Sequence, residues 1–315
     1  MILDFSLTLL VCMTIAIVSG KVFIPMLHRF KFGQTVREEG PKSHVKKNGT
    51  PTMGGIIFII PIIIGSLLFL DFKIETQYPM IALILFSIVG FADDFIKIMR
   101  KKNLGLTSKQ KIILLIVVSF ILSMLAKKIF GTEIYIPFVR ENVDLGMIYI
   151  PFMMFVYIGA SNAVNLTDGL DGLASSVTVF VLLFIGIIAN SLGFDNSVIF
   201  SVVAIGSLIG FIFFNINPAK VFMGDTGSLG LGGMLVALTA QMSLPIILVM
   251  VGIIYIIETV SVILQVMWFK TTGKRIFKMS PIHHHYEMCG LSENKIVLLF
   301  SAVTIVFGII AIISI

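Results

Sequence analysis

Two adjacent aspartates, Asp93 and Asp94, lie near the end of an apolar run in the segment IVGFADDFIKI. Neighbouring carboxylates repel each other, and their charge costs more near lipid. Lys97 follows Asp93 by four residues and Asp94 by three, so on a helix its ammonium group can face both acids. Carboxylates combined with lysines suit a divalent cation and phosphates, since Mg²⁺ takes one or two carboxylates and leaves positions for phosphate oxygens. The pair therefore predicts metal-assisted phosphate chemistry.

Four further polar segments can contribute to the same site: GTPTMGG, NLTDGLDGLA, NPAKVFMGDTGSL and PIHHHYE. They supply carboxylates, glycine backbone N–H groups that can receive an anion, and an aromatic ring that can stack on a base. Each feature also has a structural alternative, because Asp-Gly forms turns and lone lysines anchor helices at a membrane surface. The candidates are the acids Asp168, Asp171 and Asp225, the lysines Lys46, Lys47, Lys97 and Lys111, and the ring of Phe222.

Three consecutive histidines, His283, His284 and His285, form the second chemical signal. Neighbouring side chains on a helix point about 100° apart, which disfavours a shared zinc ion. Contact of one or two of them with phosphate or sugar is the preferred interpretation. Glu258 lies inside an apolar run, and an acid there is expected to face the interior of a helix bundle in a structural hydrogen bond.

The composition indicates a membrane protein. The chain has 315 residues, of which 57% are hydrophobic and 13% charged, and a mean hydropathy of +1.05. A soluble domain carries about 25% charged residues, so lipid must cover much of this surface. The net charge of +6 fits positive-inside topology better than nucleic-acid binding, and no nucleic-acid partner is expected. Two distant cysteines are too few for a disulfide framework.

The predicted fold is an all-α, polytopic integral membrane protein with one membrane-embedded domain over residues 1–315. A spanning helix needs about 17–25 mainly apolar residues, and the N-terminal run is expected to be a retained first span. Ten runs qualify, the eighth being short and rich in glycine: 3–26, 53–70, 78–98, 110–126, 147–163, 173–190, 197–214, 228–241, 244–268 and 295–314.

Lysine and arginine predict the orientation of these spans. Eighteen of these residues lie in or beside the loops after spans 1, 3, 5, 7 and 9, and four in or beside the other loops. The positive-inside rule therefore places the first set in the cytoplasm and both termini outside. All five polar segments then fall on the cytoplasmic face, which predicts one site assembled from several loops.

In order and spacing, the motifs GTPTMGG, FADDFIK, NLTDGLDGLA, NPAKVFMGDTGSL and PIHHHYE resemble those of the polyprenyl-phosphate N-acetylhexosamine-1-phosphate transferase superfamily. The PxHHHxE motif at residues 281–287 is similar to the histidine motif of the muramoyl branch of this superfamily. The resemblance implies transfer of phospho-MurNAc-pentapeptide from UDP-MurNAc-pentapeptide to undecaprenyl phosphate, giving lipid I and UMP in peptidoglycan synthesis. It implies Mg²⁺ as cofactor, membrane lipid as surroundings, and a multi-pass protein of the bacterial cell membrane. A homodimer stays an open alternative.

The resemblance also implies roles for individual residues. Asp225 matches the magnesium ligand, and Asp93 and Asp94 match the acidic pair, with Asp93 the candidate that receives or orients the acceptor's proton. Attack by an aspartate to form a covalent intermediate stays an alternative to direct attack by the acceptor. Lys97 and Lys111 match phosphate-binding lysines. The residues that resemble the family's nucleoside pocket are Asn165, Asp168, Gly169, Leu170, Asp171 and Phe222. Asn215 and either His283 or His284 resemble residues that contact the donor.

Two rival functions remain. One is a related transferase that uses UDP-N-acetylglucosamine, against which the histidine motif argues. The other is a secondary transporter, whose ionisable residues would lie near the membrane midplane. Here nearly all ionisable residues fall at predicted cytoplasmic span ends, so the transferase is preferred.

Overall fold

The computed structural model describes residues 2–29, 49–100 and 105–315. Lys46 and Lys47, two of the predicted phosphate-binding lysines, lie outside these described residues. Within them the chain is almost entirely helical, with one small hairpin. The helices are α1 (Ile2–Arg29), α2 (Ile56–Phe69), α3 (Ile74–Arg100), α4 (Ser108–Phe130), α5 (Tyr149–Thr167), α6 (Leu173–Ser191), α7 (Asp195–Asn215), α8 (Gly224–Ala240), α9 (Leu248–Val251), α10 (Ile253–Thr272), α11 (Ile282–Met288) and α12 (Glu293–Ile313).

The helices confirm the prediction of an all-α, polytopic membrane protein. Seven segments of the described chain are long and apolar enough to cross a bilayer: Phe5–Arg29, Ser108–Phe130, Gly146–Thr167, Leu173–Ser191, Asp195–Asn215, Ile253–Thr272 and Glu293–Ile313. The helix α2 is apolar but only 14 residues long, and α8 has 17 residues. The helix α3 has 27 residues and carries the acids and lysine of the first motif.

Two local features differ from the sequence-based expectation. The predicted ninth span is divided, because α9 ends at Val251 and α10 begins at Ile253, with Gly252 between them. Between α4 and α5 the chain forms an antiparallel hairpin, β1 (Glu133–Ile136) and β2 (Glu141–Asp144). The backbone N–H of Phe138 in the hairpin turn donates to the carbonyl of Ser314, at 2.9 Å.

The helix α8 lies at the centre of the bundle and packs most extensively against α3. Every residue of α8 from Thr226 to Ala240 is buried. Glycines allow helix backbones to approach closely, and a methyl group at Gly230 would lie 2.1 Å from Ser87 Oγ. We call the glycines at which α8 closely approaches its neighbours the glycine seam. Gly90 on α3 faces α8, and Gly230 and Gly233 on α8 face α3, whereas Gly232 faces α5 and Gly227 faces Gly55 and Phe58.

Candidate active site

Packing of α3 against α8 brings three carboxylates together. Asp93 and Asp94 lie near the C-terminal end of α3, and Asp225 lies in the first turn of α8. Each offers a carboxylate oxygen, and these oxygens all lie within 4.8 Å of one another. The close approach depends on Gly90, because a Cβ atom there would lie 2.0 Å from the backbone oxygen of Asp225.

Lys97 sits among the three acids. Its Nζ atom is 2.6 Å from Asp93 Oδ2, 3.5 Å from Asp94 Oδ1 and 3.2 Å from Asp225 Oδ2. The sequence spacing correctly predicts the first two contacts. The contact with Asp225 joins residues 128 positions apart, and it arises from the packing of the two helices. One ammonium group therefore offsets part of the charge of all three carboxylates.

Lys111 supplies a second cation from α4. Thr107 caps this helix: its Oγ1 accepts from the backbone N–H of Gln110 at 3.3 Å, and Gln110 Oε1 accepts from the backbone N–H of Thr107 at 3.0 Å. This capping box fixes the first turn, in which Lys111 Nζ donates to Asp225 Oδ2 at 2.8 Å. The structure thus brings both predicted phosphate-binding lysines of the described chain to the same carboxylate.

Neutral groups orient each acid. Asp94 Oδ2 accepts from both the backbone N–H and the hydroxyl of Thr226, at 2.9 and 2.8 Å. Asp93 Oδ1 accepts from the backbone N–H of Leu106 at 2.8 Å. Sequence reasoning did not select Thr226, although it directly follows Asp225. Hydrogen bonds from several directions leave the carboxylates little freedom to rotate.

Asn165 also belongs to the carboxylate cluster. Its Nδ2 donates to Asp225 Oδ1 at 2.9 Å and to Ser228 Oγ at 2.8 Å. The resemblance assigned Asn165 to the nucleoside pocket, whereas its amide here orients the predicted metal ligand. Ser228 is a second residue that sequence reasoning did not select. It lies three residues after Asp225, so helical spacing was the available signal.

The surroundings of the site shift the pKa values of Asp225 and Asp168 in opposite directions. Burial opposes ionisation of Asp225, but hydrogen bonding with Asp93 and the charges of Lys111 and Lys97 hold the pKa of Asp225 below its ordinary value. Burial raises the pKa of Asp168 well above its ordinary value, and the negative charges of Asp225 and Asp94 add to this shift. Asp225 is therefore a stronger candidate than Asp168 for a charged ligand.

A loop formed by residues 168–172, which we call the aspartate loop, connects α5 to α6. Asp171 Oδ2 accepts from Asn217 Nδ2 and from the backbone N–H of Ala219, both at 3.0 Å. Asn215 Oδ1 accepts from the backbone N–H of Gly172 at 3.1 Å. Asp171 and Asn215, both predicted as substrate-binding, thus hold the aspartate loop against the segment after α7. Leu170 is buried, and Asp168 and Gly169 are partly exposed.

Phe222 belongs to a short backbone pairing beside the acids. Its N–H donates to the carbonyl of Pro51, and its carbonyl accepts from the N–H of Gly54, both at 2.8 Å. The ring of Phe222 is partly buried. The glycine-containing motif before α2 is therefore attached to the entry of α8, where Gly224 has a φ of +75°.

The three histidines have different surroundings. His283 is buried on α11, and its Nδ1 lies 3.0 Å from Oε1 of Glu258 on α10. This confirms the structural hydrogen bond expected for Glu258. His284 Nδ1 lies 3.2 Å from Glu287 Oε2, and 13% of the His284 side chain is exposed. His285 Nδ1 accepts from the backbone N–H of Lys278 at 3.1 Å. Of the two histidines predicted to contact a donor, His284 alone has exposed surface.

The carboxylate cluster fits a hard divalent cation. Asp93, Asp94 and Asp225 are the one group of three or more potential protein ligands found among the described residues. Their donors are oxygens, the ligand type that Mg²⁺ prefers. The acids are well oriented and are accompanied by two lysines, which match the negative charge of a phosphate.

Sequence comparison assigns the class of protein that carries this site. The model of the family described as "Glycosyl transferase family 4" matches residues 76–243, more than half of the chain. The matched region includes most of α3 and all of α4 to α8, and therefore all three acids and both lysines of the cluster. The chain is a membrane transferase of this class.

More specific matches define the family within that class. The "Phospho-N-acetylmuramoyl-pentapeptide-transferase signature 1" matches residues 47–59. A phospho-N-acetylmuramoyl-pentapeptide-transferase of Clostridium perfringens (strain 13 / Type A) is 54% identical over 308 residues, covering 97% of this chain and 96% of the relative. One of Clostridium botulinum (strain Eklund 17B / Type B) is 49% identical, with coverages of 97% and 95%. The chain belongs to the phospho-N-acetylmuramoyl-pentapeptide-transferase family.

Proposed function

We propose that this enzyme transfers phospho-MurNAc-pentapeptide from UDP-MurNAc-pentapeptide to undecaprenyl phosphate, which yields lipid I and UMP for peptidoglycan synthesis. The observation that carries the proposal is the cluster of Asp93, Asp94 and Asp225 around Lys97. Phosphoryl transfer needs positioning and charge stabilisation more than covalent chemistry from the protein, and this cluster provides both. The names of the relatives supply the donor group.

Mg²⁺ is the proposed cofactor, with Asp225 as its principal ligand. A bound Mg²⁺ would stabilise negative charge on the diphosphate of the donor. Asn165 and Lys111, which bond to Asp225 at 2.9 and 2.8 Å, orient its carboxylate. Lys97 and Lys111 then attract the phosphates of donor and acceptor.

The proposed reaction is a direct displacement. A phosphate oxygen of undecaprenyl phosphate attacks the donor phosphorus that carries the sugar. The new P–O bond forms as the bond to UMP breaks, so UMP leaves with the electron pair. Asp93 receives the acceptor's proton or orients its phosphate. Leu106 holds the Asp93 carboxylate through its N–H group, and this bond supports a fixed direction for the acid.

The remaining predicted substrate residues complete the donor pocket. The aspartate loop and Phe222 border the nucleoside, and His284 is the exposed histidine for the diphosphate or sugar. We assign the pocket to Lys47, Asn165, Asp168, Gly169, Leu170, Asp171, Asn215, Phe222, His283 and His284, some of which act by holding the loop.

We also propose ten membrane spans, with both termini outside and the site at the cytoplasmic face of the bacterial cell membrane. The eighteen-to-four distribution of lysine and arginine supports this orientation. An acceptor whose tail lies in lipid and a donor from the cytosol can meet at that interface. Residues 1–315 form one transferase domain in this proposal. Light scattering in detergent distinguishes a homodimer from a monomer.

The test is UMP release by purified protein supplied with UDP-MurNAc-pentapeptide, with and without undecaprenyl phosphate and Mg²⁺. We expect release that requires both additions and ceases with a chelator. Competition with UDP-N-acetylglucosamine tests the related transferase, since preferential use of that donor would refute the muramoyl assignment. Solute uptake into vesicles without UMP release would indicate a transporter instead.

A further inference from the structure

A buried acid and a buried histidine meet in the interior of the bundle. Glu258 lies in the second turn of α10, 25 residues before His283 on α11. Their side chains are 0% and 1% exposed, and Glu258 Oε1 lies 3.0 Å from His283 Nδ1. This bond joins an apolar helix to the histidine motif.

Each residue of this pair has one polar atom that makes no hydrogen bond to any described residue. Within the described chain, Glu258 Oε2 and His283 Nε2 are both buried without a partner. A buried polar atom without a partner destabilises the folded protein, and apolar residues often replace a buried pair without loss of stability. Stability alone is therefore a poor explanation for the presence of Glu258 and His283.

The free edge of the histidine faces the aspartate loop. A Cβ atom at Gly169 would lie 2.1 Å from His283 Nε2. Gly169 is not among the glycines with positive φ, so contact with the ring is what requires a glycine at this position. On its other side the loop is held by Asp171 and by Asn215. The imidazole of His283 therefore packs against the buried side of a loop whose residues Asp168 and Gly169 are partly exposed.

We propose that Glu258 is a positioning residue that holds His283 against Gly169 and thereby fixes the aspartate loop for binding of the donor's uridine nucleotide. The inference rests on the proposed function and deepens it. In this role Glu258 fixes the orientation of the His283 ring, and the ring fixes the aspartate loop by packing against Gly169. Neither side chain needs to touch the reacting phosphates for this role.

The first test compares three substitutions in α10. Glu258→Leu removes the partner of Nδ1, and we expect the KM for UDP-MurNAc-pentapeptide to rise about ten-fold, the effect of losing about one buried hydrogen bond. The turnover number and the KM for undecaprenyl phosphate should stay within about two-fold. Glu258→Gln should restore the donor KM, because an amide can either accept from or donate to Nδ1.

Ser261→Ala is the matched control. Ser261 is buried on the same helix, and its hydroxyl donates to the backbone carbonyl of Glu258 at 2.7 Å. The substitution removes a buried hydrogen bond without touching His283, so a general loss of helix stability would appear here too. We expect both KM values to match the wild type. Titration of each variant with UMP gives an independent measure of the nucleotide site.

The second test leaves Glu258 intact and therefore does not depend on the folding of its variants. Gly169→Ala should raise the donor KM, because the new methyl group displaces the ring. His283→Ala removes the ring, and Gly169→Ala added to it should cause no further rise. If Gly169→Ala and His283→Ala raise the donor KM additively, or if Glu258→Leu leaves it unchanged, the inference is wrong. The proposed function still stands in that case, provided that the wild-type protein releases UMP. Absence of wild-type release refutes the proposed function, and the inference with it.

Discussion

Replacing Gly90 with alanine tests whether the α3–α8 contact sets the geometry of the site. The new Cβ would lie 2.0 Å from the backbone oxygen of Asp225, whereas ordinary van der Waals contact begins at 3.4 Å. The first turn of α8 must therefore move by about 1.4 Å, because a backbone atom cannot rotate away as a side chain can. Asp225 would move with it, away from Asp93 and Asp94.

The expected loss can be given a rough size. Overpacking of this kind costs about 1–3 kcal/mol of stability, and a misplacement of about 1 Å in a reactive arrangement can reduce the rate about a hundred-fold. We therefore expect Gly90→Ala to fold in detergent with a lowered unfolding temperature and to release UMP about a hundred-fold more slowly. Initial rates at saturating substrates, measured across a range of Mg²⁺ concentrations, provide the assay.

Gly159→Ala is the control for this experiment. Gly159 is also helical, on α5, but no atom of the described residues lies within 4 Å of a Cβ built there. Alanine favours the helix over glycine by about 1 kcal/mol, so this variant should be as active as the wild type and no less stable. If Gly90→Ala turns over as fast as Gly159→Ala, the close contact does not determine the position of Asp225.

Three further predictions concern the acids, the histidines and the topology. Asp225→Asn should nearly abolish UMP release while the protein still folds in detergent, because a neutral amide is a poor Mg²⁺ ligand; near-normal turnover at ordinary Mg²⁺ would contradict the assignment. His285→Ala should change donor efficiency less than His284→Ala, because His285 is bonded to the backbone of Lys278, and kcat/KM for the donor provides the comparison. In a cysteine-free background, an impermeant thiol reagent applied to whole cells should label Glu141→Cys and miss Lys274→Cys, and the reverse pattern would overturn the proposed orientation.

Sequence periodicity predicted the helices well because each long apolar run has one stable form in lipid. It could not predict the break at Gly252, since glycine is common within membrane helices as well as between them. It also missed the hairpin β1–β2, whose strands have four residues each. A strand that short carries too little alternation to separate it from a loop.

In the candidate site, the sequence could predict contacts within one helix but not contacts between distant parts of the chain. The spacing of Asp93, Asp94 and Lys97 is enough to bring them together, because all three lie on one helix. The bond from Asn165 to Asp225 spans 60 residues, and helical spacing carries no information over that distance. The pairing of Glu258 with His283 depends likewise on how α10 meets α11, so Glu258 was predicted to form a hydrogen bond but without a named partner.

The glycine seam restricts how this protein can change over evolutionary time. Glycine has the smallest side chain, so every substitution at these positions adds atoms to a contact that has no free volume. At Gly232 the opposing atoms belong to the backbone of Ala160 and Ser161, and no substitution on the other helix can make a backbone smaller. Single mutations that are tolerated in α8 must therefore arise outside the seam, because a substitution within it would change the spacing of this helix to α3 or to α5.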